Sequence, residues 1–165
     1  MKCTEGDLIQ MFNNGDFDVI IHGTNCQKTM NSGIAKQIKD TFPEVYKVDC
    51  NDARTPKEKL GSFSYYVYTS TEKESKIVIN AYTQLNWGKG LQVSYYHMEQ
   101  SLIAIRKFIG FLGKINIKIG YPLIGAGRGG ADWNVVSPML DKHFNGLDHT
   151  LVVYKEVDNH YNKGS

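Results

Sequence analysis

The chain lacks any long hydrophobic run. Its apolar stretches, such as Val19–Ile21 and Leu151–Val153, fall far short of the ~20 residues that span a bilayer, so no membrane segment is expected. Cysteine is scarce. Cys3, Cys26 and Cys50 form no CxxC pair and are odd in number. With five scattered histidines, this argues against a structural zinc site and against a disulfide framework. The expectation is a reduced, intracellular protein of the cytoplasm. No charge of one sign dominates: 19 basic against 17 acidic residues leave a net +2, too balanced for electrostatics alone to select nucleic acid or an anionic membrane. The opening Met1-Lys2-Cys3-Thr4-Glu5-Gly6-Asp7 has no apolar signal core. Internal repeats, low-complexity segments and Pro/Ser linkers are also missing, which excludes collagen, coiled coils and solenoids.

What is present is ordinary globular composition, 41% hydrophobic and 22% charged, in a chain whose 165 residues suit one domain at ~100–200 residues each. Residues 1–157 are read as that domain and 158–165 as a polar, frayed tail. Glycine is the outlier. Of 16 glycines, Gly120, Gly125, Gly127, Gly129 and Gly130 crowd one stretch, where backbone is expected to approach a ligand closely.

The apolar and β-branched runs predict strands at Met1–Thr4, Phe17–Ile21, Ser62–Thr69, Lys76–Thr83, Ile115–Leu123 and His149–Val157. Helices are expected at Gly33–Asp40, capped by Ser32 and ended by Phe42-Pro43, and at Trp133–Phe144. The clearest helix is Ser94–Leu112, where Met98, Leu102, Ile105, Ile109 and Leu112 form an amphipathic stripe. Asn51–Gly61 reads as loop. Strands alternating with helices imply an α/β fold, a three-layer sandwich around a mixed sheet.

Two loops carry the chemistry. The first follows the buried strand, from Ile20-Ile21-His22-Gly23-Thr24-Asn25 through Asn31-Ser32-Gly33-Ile34. It delivers side chains to a strand's carboxyl end and then opens a helix, whose free N–H groups and positive dipole end suit phosphate. The second, Ile124-Gly125-Ala126-Gly127-Arg128-Gly129-Gly130, also joins a strand to a helix. It matches GxGxxG, but too near the C-terminus for a dinucleotide fingerprint. Its glycines still let backbone N–H groups reach a diphosphate.

In this order the motifs resemble the macro domains, which have an α/β/α fold and bind ADP-ribose. The resemblance covers nearly the whole chain. It places Asp7, after Gly6, where a carboxylate receives the adenine amino group, with Leu8 beside it; capping of a helix at Leu8 is the plainer use of Asp7. Gly23, Thr24, Asn31, Ser32, Gly33 and Ile34 fall in the first ligand loop. Asn25 falls at the position of the asparagine that contacts the distal ribose, unless it only bonds its own loop. Residues 124–129 fall in the diphosphate loop, and Tyr154 where an aromatic residue stacks on adenine. His22, replacing the common first asparagine, resembles the yeast-type ADP-ribose 1″-phosphate phosphatases, which implies a catalytic His22 and Asn25 at the distal ribose. A core histidine is the alternative. Phe42-Pro43-Glu44-Val45-Tyr46 resembles instead a branch of glycohydrolases that remove ADP-ribose from acidic side chains or DNA. Those use a lysine where this chain has Gln84, and some an aspartate where it has Gly129. Lys89 is the nearby candidate substitute.

The expectation is thus a phosphatase acting on ADP-ribose 1″-phosphate. The alternatives are a non-catalytic ADP-ribose-binding module and a glycohydrolase or ester hydrolase of protein or DNA adducts. The ADP-ribose moiety is the expected ligand or substrate, with no cofactor and no metal. The chain is expected to be monomeric, and nucleic acid to enter only as an ADP-ribosylated adduct.

Overall fold

Runs in which every residue is apolar make strands buried on both faces, and here they form the centre of one sheet. The computed structural model describes residues 1–70 and 74–154. In chain order its elements are β1 (Lys2–Glu5), α1 (Leu8–Asn13), β2 (Val19–Asn25), α2 (Gly33–Thr41), α3 (Pro43–Asn51), α4 (Pro56–Lys59), β3 (Phe63–Ser70), β4 (Ser75–Gln84), α5 (Tyr95–Phe111), β5 (Lys118–Tyr121), α6 (Trp133–His143) and β6 (Asp148–Val153). The six strands lie in the order β1-β6-β5-β2-β4-β3. All neighbours are parallel except β3, which runs antiparallel to β4 at one edge. The sheet is mixed, as expected.

Alternation along β2 divides the core. Val19 and Ile21 face α5 and α6, in a cluster with Met98, Leu102, Ile105 and Leu140. Ile20 faces the other way, with Leu8, Phe12, Ile38 and Val45 of α1, α2 and α3. Each fully buried side chain of this kind contributes ~1.5–3 kcal/mol relative to exposure. The result is the three-layer α/β/α sandwich. Its parallel strands β1, β6, β5, β2 and β4 all point their carboxyl ends to one rim.

Three expectations are corrected. Strand β5 is shorter than Ile115–Leu123, because Asn116 adopts a left-handed φ of 61° and Pro122 has no N–H for the ladder. Helix α3 follows α2 at once: Pro43 ends the first helix and begins the second, occupying a first-turn position where the missing N–H costs nothing. Within the expected loop 51–61 sits α4, opened by a capping box in which Thr55 and Glu58 bond each other's backbone N–H. That Thr-Pro-Lys-Glu signature was readable. Residues 155–157 of the expected last strand, and the tail 158–165, lie outside the described residues.

Beneath α3 runs a buried polar chain. Lys59 Nζ donates to Asp49 Oδ1 at 2.6 Å with both side chains fully buried. Tyr82 Oη also donates to that oxygen, at 2.7 Å. Tyr82 meets Ser64 at 2.7 Å, and Asn80 Nδ2 donates to Ser64 Oγ at 3.1 Å. Removing one ion of such a pair leaves the other uncompensated in the interior. Lys59→Ala is therefore expected to cost ~3–5 kcal/mol in denaturant unfolding, and a loss below ~1 kcal/mol, typical of exposed pairs, would show the pair to be dispensable.

Candidate functional site

Because five parallel strands end on one rim, the segments that follow them line up side by side. A cleft of about 1110 Å³ runs along that rim. Gly6, Asp7 and Leu8 follow β1, and Tyr154 follows β6. The Gly-rich loop follows β5, and Gly23–Asn25 end β2. Gln84 ends β4, and Trp87–Leu91 follow it. Four inter-strand steps of ~4.8 Å make this rim roughly 19 Å long, so the site suits an elongated ligand laid across the strands.

At the β1 end, Asp7 Oδ1 accepts the Gln10 N–H at 3.0 Å, so Asp7 caps α1. Asp7 also lines the cleft. Tyr154 borders the same end and is 63% exposed, so its ring is presented rather than packed. In the middle, α2 begins at Gly33, whose φ is +59°. Ser32 stands at its N-cap with no side-chain capping bond. Asn31, Ser32, Gly33 and Ile34 all line the cleft.

The facing wall is the Gly-rich loop. The Gly129 carbonyl accepts N–H bonds from Gln92 and Val93, at 2.9 and 3.2 Å. A Cβ on Gly129 would stand 2.7 Å from the Gly125 carbonyl oxygen, and one on Gly130 2.6 Å from that of Gly90. Neither position admits a side chain as the backbone stands. Ile124, Gly125, Gly127, Arg128 and Gly129 line the cleft, whereas Ala126 does not.

Asn25 reaches the cleft, but its amide is committed. Nδ2 donates to the Thr29 carbonyl and hydroxyl at 3.2 and 2.9 Å, and Oδ1 accepts the Gln27 N–H at 2.8 Å. It braces the first loop as an Asx turn does. The hydroxyl of Thr24, one residue earlier, is buried without a hydrogen-bond partner in a residue that lines the cleft.

His22 is the clear correction. It is 1% exposed and does not line the cleft. Alternation along β2 turns it to the α3 side, where Nε2 lies 2.6 Å from Asn80 Oδ1. Since that oxygen only accepts, the proton sits on Nε2, and Nδ1 is left without a partner. Burial lowers the His22 pKa against smaller opposing effects of Asn80 and Asp49. His22 is the neutral end of the buried polar chain. Cys26, also buried, has its thiol pushed up to about 11 by desolvation, which leaves it inert.

Of the third wall, sequence reasoning named only Lys89. Segment 85–92 is stitched to both ligand loops. The Cys26 N–H and Gln27 Nε2 donate to the Leu85 carbonyl, at 3.2 and 3.1 Å. On the other side stand the Gln92–Gly129 bond and the Gly90–Gly130 approach. The signal was Trp87-Gly88-Lys89-Gly90, a glycine-flanked cation beside an aromatic ring just after a strand.

A macro domain family model matches residues 21–140. The chain belongs to the macro domain family. Macro domains bind ADP-ribose and its adducts. The chain is 32% identical over 159 residues to an uncharacterized 17.5 kDa protein of the tk-vs intergenic region of Enterobacteria phage T4, covering 95% of this chain and 98% of that protein. It is 27% identical over 150 residues to a DNA ADP-ribosyl glycohydrolase of Mycobacterium tuberculosis, with 90% of this chain but 40% of that protein covered. Among solved structures, the macrodomain of Mycobacterium tuberculosis DarG superposes with a TM-score of 0.69 at 26% identity, covering 94% of this chain and 97% of that one. The solved neighbour is a DarG macrodomain, and the likeness to the yeast-type phosphatase branch is not among these findings.

The buried neutral His22 sets a pH dependence for this macro domain. Its folded pKa lies below the ordinary 6.5, so at lower pH the unfolded chain takes up the proton first. Its contribution is fully present above ~6.5 and is lost as pH falls towards the folded value. Chemical denaturation between pH 7.5 and 5 is expected to show that decline, with a shallower slope in His22→Gln. An unchanged slope would mean that His22 takes up its proton equally in the folded and unfolded chain.

Proposed function

We propose that this macro domain holds the ADP-ribose moiety along the cleft and hydrolyses ADP-ribosyl adducts, with DNA-linked ADP-ribose as the substrate class. The adenine end would lie at Asp7 and Tyr154, the diphosphate between the α2 N-terminus and the Gly-rich loop, and the distal ribose near Thr24, Asn25 and Gln84. The observation that carries the reading is the β4 end of the cleft. It is bordered by an exposed segment, Trp87 to Leu91, which leaves room for whatever is attached to the distal ribose. Relatives named as DNA ADP-ribosyl glycohydrolases support it, although the chain spans only about 40% of their length.

In such a reaction the bond from C1″ to the leaving atom breaks and its electron pair leaves with that atom. A water oxygen bonds C1″, and its proton is transferred to the leaving group. The transition state is cationic at the sugar, so cleavage does not require a protein nucleophile. The chain's share is positioning: a fixed diphosphate and a braced first loop hold C1″ still while water is admitted.

The second reading, a phosphatase acting on ADP-ribose 1″-phosphate, is favoured by Gln84, which stands where the resembling glycohydrolases carry lysine. It loses its expected acid or base, because His22 lies behind the strand. Incubation with an ADP-ribosylated thymidine oligonucleotide and with ADP-ribose 1″-phosphate separates the two. Release of ADP-ribose from the oligonucleotide is expected; release of phosphate alone would reverse the ranking. In a calorimetric titration with ADP-ribose, Asp7→Ala is expected to weaken binding by ~1–3 kcal/mol, the worth of a charge-assisted hydrogen bond. Unchanged affinity would place the adenine elsewhere.

A further inference from the structure

The geometry points to a second binding subsite, continuous with the cleft at its β4 end, for the single-stranded nucleic acid that carries the adduct. It consists of Trp87 as a stacking platform and Lys89 as a phosphate contact. The inference rests on the hydrolase reading above and adds the surface that would select the carrier.

Three observations carry it. Trp87 is 67% exposed and Leu91 58% exposed, within an exposed segment whose two ends, Leu85 and Gln92, are bonded to the two ligand loops. An indole held out to water by a pinned backbone is poised to receive a planar partner, and base–aromatic stacking accepts any base because each has a π-face. Second, charge is arranged along the cleft. Among the described residues that line it, Lys89 and Arg128 are the two cations, and Asp7, at the opposite end, is the one carboxylate. Among those lining residues, none at the β4 end is a carboxylate that would repel a phosphodiester strand. Third, Lys89 sits between Gly88, at φ +138°, and Gly90, at φ +82°. Its carbonyl is tied down by Gln92 Nε2 at 2.9 Å, so the side chain is projected from a fixed turn.

An aromatic face plus a cation fits a nucleotide strand better than an acidic peptide, which would offer Trp87 nothing planar to stack on. The strand would leave the distal ribose past Gln84, place a base beside the modified one on Trp87, and bring a phosphate to Lys89.

Two tryptophans make the test direct. Trp87 is exposed, while Trp133 is partly buried against the core. An unmodified oligothymidylate of about eight nucleotides is expected to quench emission in the wild type but not in Trp87→Phe, which retains only Trp133. By anisotropy of a labelled oligothymidylate, Trp87→Ala should bind about ten-fold or more weakly, as loss of a stacked base costs, and Trp87→Phe should recover most of that. Lys89→Ala should reduce the salt slope by about one. ADP-ribose affinity, measured by titration, should change far less than oligonucleotide affinity in each variant. Wild-type oligonucleotide binding by Trp87→Ala would overturn the subsite. So would an equal loss of kcat/KM on an ADP-ribosylated glutamate peptide and on the ADP-ribosylated oligonucleotide. Failure of the hydrolase reading looks different: the oligonucleotide quenches Trp87, yet no ADP-ribose is released from its adduct.

Discussion

Everything at the ligand rim depends on two places where there is no room for a carbon atom. The Gly-rich loop after β5 closes against residues 90–93 only because Gly129 and Gly130 carry no Cβ. That approach lets the Gly129 carbonyl receive two N–H bonds from the segment after β4, and the same segment reaches across to bond the first loop through Leu85. Three connections that follow three different strands therefore set one another's positions. The diphosphate wall, the Asn25 loop and the Trp87–Leu91 wall form one braced unit rather than three independent loops. Sites in open α/β sheets use the carboxyl ends of strands because connections converge there; here the convergence is fixed by backbone contact.

A second constraint lies one layer down. The ion pair of Asp49 and Lys59 has no solvent to share, and its cost is offset by the hydrogen bonds of Tyr82 and Ser64. Through Asn80 the same chain ends on His22, directly behind Gly23. The histidine that looks catalytic in sequence thus belongs to the support of the rim. Its orphaned Nδ1 and the unpartnered Asp49 Oδ2 are the places where this network is least satisfied. They are where a charge or a volume change would be felt first.

How much of this was legible follows from which signals are local. The stripe Met98–Ile109 and the β-branched runs of β2 and β4 fix their own periodicity, and the layers follow from it. The two ligand loops were legible as glycine between strand and helix. The face that His22 takes was not, because strand parity depends on which neighbour of β2 is buried against which helix, a fact of tertiary packing. Apart from Lys89, the third wall was missed for a similar reason. Trp87 and Lys89 join the site only because β4 pairs with β2, and no spacing along the chain expresses that pairing. Helix α3 was hidden by Pro43, which signals an end and a beginning with the same residue.

The two departures from the resembling glycohydrolases prove to be one. Gln84, in place of their lysine, and Gly129, in place of the aspartate some of them carry, face each other: a Cβ on Gly129 would stand 2.9 Å from Gln84 Oε1 and 2.7 Å from the Gly125 carbonyl oxygen. An aspartate cannot be added at residue 129 unless the loop withdraws, and withdrawal would break the bonds that hold residues 92 and 93. At this point the chain has close backbone contact where those enzymes would carry longer side chains. On the proposed hydrolase reading, the braced rim holds the ligand's own diphosphate and a positioned water, which makes its rigidity part of the chemistry rather than its scaffold.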